Sequence, residues 1–313
     1  MTVEIANTFY KINNYYLGKY STLERNLSVW DEPTHSYSWK NYFYNEETKE
    51  LLIPGGINKY KLYNLMKNEE FLSDTIKEDS YRTATYKCTT DPRDEEQEKA
   101  IEFLLQDEKQ LMLCLNTGGG KTYCTINALS QMKKRSMVIV DKEKIMLQWK
   151  ESFLKFTNLK EDDIYLISGR DSIEKIMKNK KDCNIKVFIA SHRTLSSYAE
   201  DDWSKLTDFF NKIKIGVKVY DEAHVEAKNI FKIDCYTNTF KTIYLTATPA
   251  RSNPQEDKVF QYSIDTIPQY GLEKKFDDKY IIAYYVSYNT QPNSYQIAKC
   301  KTKRGFDINT FSD

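Results

Sequence analysis

Asn116-Thr117-Gly118-Gly119-Gly120-Lys121-Thr122 separates two runs of different periodicity. Ahead of it lies the apolar run Gln110-Leu111-Met112-Leu113-Cys114-Leu115, which reads as a strand. Behind it, Thr122 to Arg135 carries a helical pattern. Strand, Gly-rich turn, Gly-Lys-Thr and helix make the setting in which such a turn holds phosphate. Glycines let successive backbone N–H groups point inward without a Cβ clash, and so form an anion nest. The positive end of the following helix adds to that field. In this setting Lys121 reaches the β- and γ-phosphates and the Thr122 hydroxyl ligates Mg²⁺, while Thr117, Gly118, Gly119 and Gly120 line the nucleotide. The strict pattern begins with Gly, where this chain has the larger Leu115. Taken alone, the same residues also describe a Gly-rich turn followed by Lys-Thr.

The chain has 313 residues, long enough for a large domain plus a smaller one. Its net charge of +1 gives no global basic field, so a nucleic-acid partner must be held by a local patch. The six cysteines form no Cys-x-x-Cys pair and there are three histidines, which argues against a structural zinc site and fits a reducing compartment. Cys114 and Cys124 flank the turn and read as small core residues. Met1-Thr2-Val3-Glu4 lacks a secretory pattern, and no apolar run nears the roughly 20 residues of a membrane span. The expectation is a soluble protein without membrane partners, in bacterial or virus-infected host cytoplasm.

Residues 1–88 read as a small α+β accessory domain. Tyr15, Tyr16, Tyr20, Trp30, Tyr37, Trp39, Tyr42, Phe43 and Tyr44 crowd it. They suit the core of a small sheet, although mixed with Lys19, Lys40, Lys49, Lys59 and Lys61 they could also stack on bases and touch phosphates. Trp39 to Gly56 reads as strand, polar turn, strand and stop, and Ile57 to Leu72 as a helix. Asp79 to Arg93 is polar and reads as a linker. Gln97 then opens an amphipathic helix with Ala100, Ile101, Leu104 and Leu105 on one face.

Beyond the phosphate loop, strand patterns at Ser136–Val140, Ile164–Ile167, Ile185–Ala190, Val217–Tyr220 and Thr242–Leu245 alternate with helical ones at Lys142–Thr157, Asp171–Lys178 and Thr194–Asn211. That alternation predicts an α/β fold, a parallel sheet with helices on both faces. Ligands of such sheets sit at the carboxyl ends of the strands. Asp221-Glu222-Ala223-His224 closes one of them. An acidic pair at a buried strand end is costly unless it meets a cation. Beside a phosphate loop, Asp221 would hold Mg²⁺ and Glu222 would orient and deprotonate a water. Thr246-Ala247-Thr248 closes another strand, and its hydroxyls can hydrogen-bond His224 or Glu222.

Gln97, Gly118-x-Gly120-Lys121-Thr122, Asp221-Glu222-Ala223-His224 and Thr246-Ala247-Thr248-Pro249, in this order and spacing, resemble the first motor domain of superfamily 2 helicases. The likeness is to the DEAH-box branch that contains type III restriction helicase subunits and phage recombination helicases, and it covers residues 90–265. It implies a RecA-like domain at 89–265 that binds ATP and Mg²⁺ and grips one nucleic-acid strand, DNA rather than RNA. By the same resemblance Gln97 reads adenine, Lys121, Asp221 and Glu222 are catalytic, Thr122 and Asp221 hold Mg²⁺, and His224, Thr246 and Thr248 couple nucleotide state to the strand. Val140-Asp141-Lys142 and Ala190 to Leu195 resemble the two strand-gripping motifs, which makes Lys142, His192 and Thr194 candidates for phosphate contact.

Such motors use two RecA-like domains, the second supplying arginine fingers. No such set follows residue 250. Residues 266–313, with a strand pattern at Tyr280–Tyr288 and the basic stretch Lys299–Arg304, read as a bridge toward a second motor domain in cis or in trans. The expectation is a helicase half that binds ATP but hydrolyses it poorly alone. The competing readings are a nucleotide-gated nucleic-acid binding module and the motor part of a restriction enzyme.

Overall fold

A computed structural model describes residues 1–67, 69–73, 81–179 and 184–271, together with the backbone of 301–302 and 305–306. The strand pattern at Tyr280–Tyr288 lies outside the described residues. Met1–Glu273 forms one compact unit. In the second unit, Lys301–Thr302 pairs antiparallel with Gly305–Phe306.

The N-terminal layer comprises β1 (Thr2–Ile5), β2 (Phe9–Asn13), α1 (Ser21–Asn26), β3 (Ser28–Asp31), β4 (Ser36–Lys40), β5 (Phe43–Asn45), β6 (Glu50–Pro54), α2 (Lys59–Leu65) and β7 (Glu70–Ser73). Five of its strands form one sheet in the order β5-β6-β2-β1-β7, and β3 and β4 form a separate hairpin. The helix expected over Ile57–Leu72 is shorter. Asn58 caps it, accepting from the Tyr60 and Lys61 N–H groups, and the chain after Leu65 turns to lay β7 parallel against β1. An open strand edge outweighs helical spacing there. Tyr15 and Trp39 are buried, whereas Tyr16, Trp30 and Tyr37 are exposed. The crowded aromatics thus divide between core and surface.

The second sheet is built from β8 (Gln110–Cys114), β9 (Ser136–Val140), β10 (Ile164–Ile167), β11 (Val187–Ser191), β12 (Val217–Tyr220), β13 (Lys241–Thr246) and β14 (Gln269–Tyr270). All of its pairings are parallel, in the order β10-β11-β9-β12-β13-β8-β14. Its helices are α3 (Glu95–Leu105), α4 (Lys121–Met132), α5 (Glu143–Phe156), α6 (Arg170–Lys178), α7 (His192–Tyr198), α8 (Ser204–Ile213), α9 (Ala227–Tyr236) and α10 (Pro254–Ser263). Alternate strand residues face opposite layers. Leu111, Leu113, Val138 and Val219 pack with α3, α4 and α5; Met112, Met137, Phe188 and Tyr220 pack with α8, α9 and α10. This is why the strands read as unbroken apolar runs: both faces are covered. The fold is RecA-like.

One helix expected over Thr194–Asn211 is two. Glu200-Asp201-Asp202 interrupts it, and Asp202 accepts from the Ser204 N–H to restart the next helix. The polar stretch read as a linker is tied to the second sheet: the Ala84 N–H donates to the Lys133 carbonyl, and Thr83 and Cys88 bridge to Lys134 and Thr157. The N-terminal layer meets the second sheet through side chains. Val29 and Trp39 lie in the same apolar cluster as Phe231 and Phe260, the Thr8 hydroxyl donates to the Asp234 carbonyl at 3.0 Å, and Asn41 Nδ2 donates to Ser263 Oγ at 2.7 Å. No described helix is long and apolar enough to cross a membrane.

Candidate active site

The loop between β8 and α4 carries Gly118 at φ +83° and Gly120 at φ +88°, a region that side chains disfavour. A Cβ on Gly120 would lie 2.3 Å from Gln97 Nε2, so the Gln97 amide rests against the loop. Gln97 Oε1 accepts from the Arg93 N–H at 2.9 Å, and Asp94 caps α3 by accepting from the Gln97 N–H at 3.0 Å. Lys121 Nζ donates to the Leu115 carbonyl at 2.8 Å and stands 3.8 Å from Glu222 Oε1. Leu115, the residue that departs from the motif, is 3 % exposed and packs into the core under the sheet. Its carbonyl faces Lys121 and its Cβ lies beside Gly119, while the rest of the side chain packs into the core. Thr117 and Gly118 are exposed at the tip, and Thr122 is half-buried in the first turn of α4.

From β12, Asp221 donates its N–H to the Ile139 carbonyl at 3.0 Å, and its Oδ2 accepts from Trp149 Nε1 at 2.9 Å. Burial pushes the Asp221 carboxyl above its ordinary value, and the Trp149 hydrogen bond opposes that push. Glu222 has φ +49°, a left-handed backbone that costs a non-glycine residue about 1–2 kcal/mol. The turn aims its carboxylate back at Lys121. Glu222 Oε2 also lies 3.5 Å from His224 Nδ1, which is 2.8 Å from Thr246 Oγ1. Burial holds the His224 imidazole below its ordinary value; Glu222 opposes, while Arg251 and Lys121 reinforce the drop. Thr246 Oγ1 donates to the Thr248 carbonyl and accepts from the Thr248 N–H, so Thr248 joins through its backbone.

Two residues that sequence reasoning missed complete the arrangement. Trp149 steadies Asp221 across 72 residues of chain. Arg251 donates to the carbonyls of His224 and Val225, pairs with Glu256 at 2.7 Å and stacks over Trp39. It therefore clamps the acidic loop between α10 and the N-terminal layer. Neither follows a spacing rule that a single sequence displays.

This donor set suits a polyphosphate with a divalent cation. A glycine-rich loop, an amine and a hydroxyl lie near the buried Asp221 carboxyl, with which no side-chain cation forms an ion pair among the described residues; Lys121 pairs with Glu222 instead. Asp221 and Thr122 are the residues that would hold Mg²⁺.

The strand-contact candidates divide. Lys142 is exposed at the end of β9, 3.8 Å from Asp141 Oδ2. Thr194 is half-buried within the cap of α7, its N–H donating to Ser191 Oγ at 3.1 Å. His192, expected to touch phosphate, lies buried behind the strand ends. It is 3 % exposed, with Nε2 3.1 Å from Asp141 Oδ1 and Nδ1 3.5 Å from Asn229 Nδ2. A ring so enclosed has no face open to a strand.

Residues 90–251 match the family described as type III restriction enzyme, res subunit. A Kineococcus radiotolerans protein named DNA 3'-5' helicase XPB is 26% identical over 149 residues, 48% of this chain and 25% of that protein. The Schizosaccharomyces pombe general transcription and DNA repair factor IIH helicase/translocase subunit XPB is 26% identical over 200 residues, 63% of this chain and 24% of that protein. The chain thus spans about a quarter of the length of these relatives. The crystal structure of the UvsW helicase from Bacteriophage T4 superposes with a TM-score of 0.54 at 12% identity, over 86% of this chain and 99% of that one. At that identity the likeness is one of fold.

Proposed function

Since the chain belongs to the type III restriction enzyme, res subunit, family, we propose that it is the N-terminal motor half of an ATP-dependent DNA helicase or translocase of the DEAH-box branch. The observation that carries the reading is the approach of Lys121 to Glu222, 3.8 Å apart and brought together from the ends of β8 and β12. A phosphate-binding amine and a water-activating acid need that proximity across a γ-phosphate. ATP with Mg²⁺ supplies the anhydride and the charge that neutralises it.

The chain's own residues do the rest. Lys121 exchanges the Leu115 carbonyl for phosphate oxygens. Asp221, steadied by Trp149, would hold the cation together with Thr122. Glu222 takes the proton of the attacking water, and the hydrogen bond from His224 to Thr246 joins the acidic loop to the end of β13. Gln97, against the loop, would read adenine. Residues 89–265 form the motor domain, residues 1–88 are its accessory, and 266–313 lead toward a second RecA-like domain that supplies the arginine. ATP binding and hydrolysis, measured with and without single-stranded and forked DNA, test the reading. Mg-ATP binding with slow turnover is expected. Failure to bind ATP overturns the site assignment, and rapid DNA-stimulated turnover overturns the half-motor.

The β3–β4 hairpin of the accessory layer presents a surface suited to bases. Trp30 and Tyr37, 40 % and 45 % exposed, meet edge to face at 5.0 Å, and Lys40 Nζ lies 4.8 Å from the Tyr37 ring centre. Trp30→Ala is expected to weaken oligo-dT binding by about 1–3 kcal/mol, the worth of one stacked base. Fluorescence anisotropy reads it, and unchanged affinity would remove the hairpin from the strand path.

A further inference from the structure

The buried imidazole of His192 has no part in the chemistry above, yet it sits where two functional loops meet. At the strand ends, Asp141 is approached by two exposed cations, Lys142 at 3.8 Å and Arg193 at 3.8 Å. Together they make a patch that a strand phosphate can occupy. Behind the patch, His192 Nε2 lies 3.1 Å from the same Asp141 carboxylate. Its Nδ1 lies 3.5 Å from Asn229 Nδ2, and that amide donates to Glu226 Oε2 at 3.1 Å. An Asn amide can only donate from its nitrogen, so Nδ1 accepts and Nε2 carries the proton to Asp141. Glu226 and Asn229 open α9, two and five residues past His224, whose backbone carbonyl Arg251 clamps.

We infer that His192 and Asn229 form a positioning relay, Asp141–His192–Asn229–Glu226, that transmits occupancy of the Lys142–Arg193 patch to the acidic loop. The inference rests on the function proposed above. Without a strand, Asp141 shares its charge among Lys142, Arg193 and His192. A phosphate that draws the two exposed cations away leaves His192 as the main partner of that carboxylate. The ring is packed on all sides, so a changed pull on Nε2 is met at Nδ1, on the helix that anchors the loop. Neither residue need touch strand or nucleotide.

The test is linkage in the full chain. Oligo-dT affinity is measured with and without Mg and a non-hydrolysable ATP analogue, and analogue affinity with and without oligo-dT. In the wild type each ligand is expected to change the affinity for the other by about 5-fold or more, equally in both directions. Asn229→Leu is expected to bring that factor close to 1 while each separate affinity stays within about 2-fold. His192→Phe should do the same, and His192→Gln, which keeps a donor toward Asp141, should recover part of the linkage. Melting temperature is followed to confirm that the variants fold. Linkage intact in Asn229→Leu overturns the relay. Strand affinity lost in His192→Phe with linkage preserved also overturns it, because the ring would then be a direct contact. A wild type that binds the analogue but no strand rejects the function reading itself, and the relay falls with it.

Discussion

Glu222→Gln is expected to leave Mg-ATP binding close to wild type and to lower the hydrolysis rate by about 10²–10⁴-fold, the usual range for loss of a general base. The substitution keeps the shape of the side chain and the left-handed turn that aims it. It removes the negative charge 3.8 Å from Lys121 and 3.5 Å from His224 Nδ1. Lys121 retains the Leu115 carbonyl, so the phosphate site keeps its amine. Single-turnover hydrolysis with protein in excess is the suitable measurement, because it reads the chemical step even when turnover is slow. Equal single-turnover rates for Gln and Glu would show that another group activates the water.

Asp234→Ala should lower the free energy of unfolding by about 3–5 kcal/mol, the cost of breaking a buried ion pair by removing one partner. Lys218 and Asp234 are 0 % and 1 % exposed, with Nζ 2.5 Å from Oδ1. The Tyr220 and Tyr244 hydroxyls also donate to Asp234, at 2.8 and 2.6 Å, and Lys218 donates to Thr237 Oγ1 at 2.7 Å. Removing the carboxylate strands an ammonium and two phenols in the layer between β12, β13 and α9. Burial already draws the Lys218 ammonium below its ordinary value, and the Asp234 charge is what opposes it. Urea titration of Asp234→Ala against the double replacement Lys218→Met, Asp234→Leu separates the two contributions. The apolar pair should recover most of the loss, since it leaves no orphaned charge. A single replacement that costs under about 1 kcal/mol would mean that water reaches the site.

The central sheet was legible because its physics is local and repeated. Ser136–Val140, Ile164–Ile167 and Val217–Tyr220 begin and end where their apolar runs do, since both faces of each strand are covered. The two loops proposed to hold phosphate and cation were legible as segments for a related reason: each is short, contiguous and at a strand end. What escaped depends on contacts distant in sequence. The α9 helix carries Asp234 and Lys232 within its ten residues, which breaks the apolar stripe that announces a helix. Asp234 is nevertheless buried, because Lys218 sits opposite. Short β7 has no period to detect and exists because β1 offers it an edge. Trp149 and Arg251 are ordinary in their own segments and acquire meaning only through Asp221 and His224. The burial of His192 was not legible because its motif gives its position along the chain and says nothing of which way the ring turns. Leu115 departs from the strict motif, and its side chain packs into the core, which the sequence pattern does not show.

On the role proposed for Glu222, its left-handed backbone sets protein stability against turnover at a single position. Glycine would relax the φ of +49° there and remove the acid with it. A lineage or a library selected for thermal resistance alone would therefore be drawn toward losing the group proposed above as the general base. Such a descendant would keep the sheet, the phosphate loop, Asp221, the histidine and the threonines. By every other motif it would pass for a working ATPase, so the line between enzyme and pseudoenzyme in this fold is one residue wide.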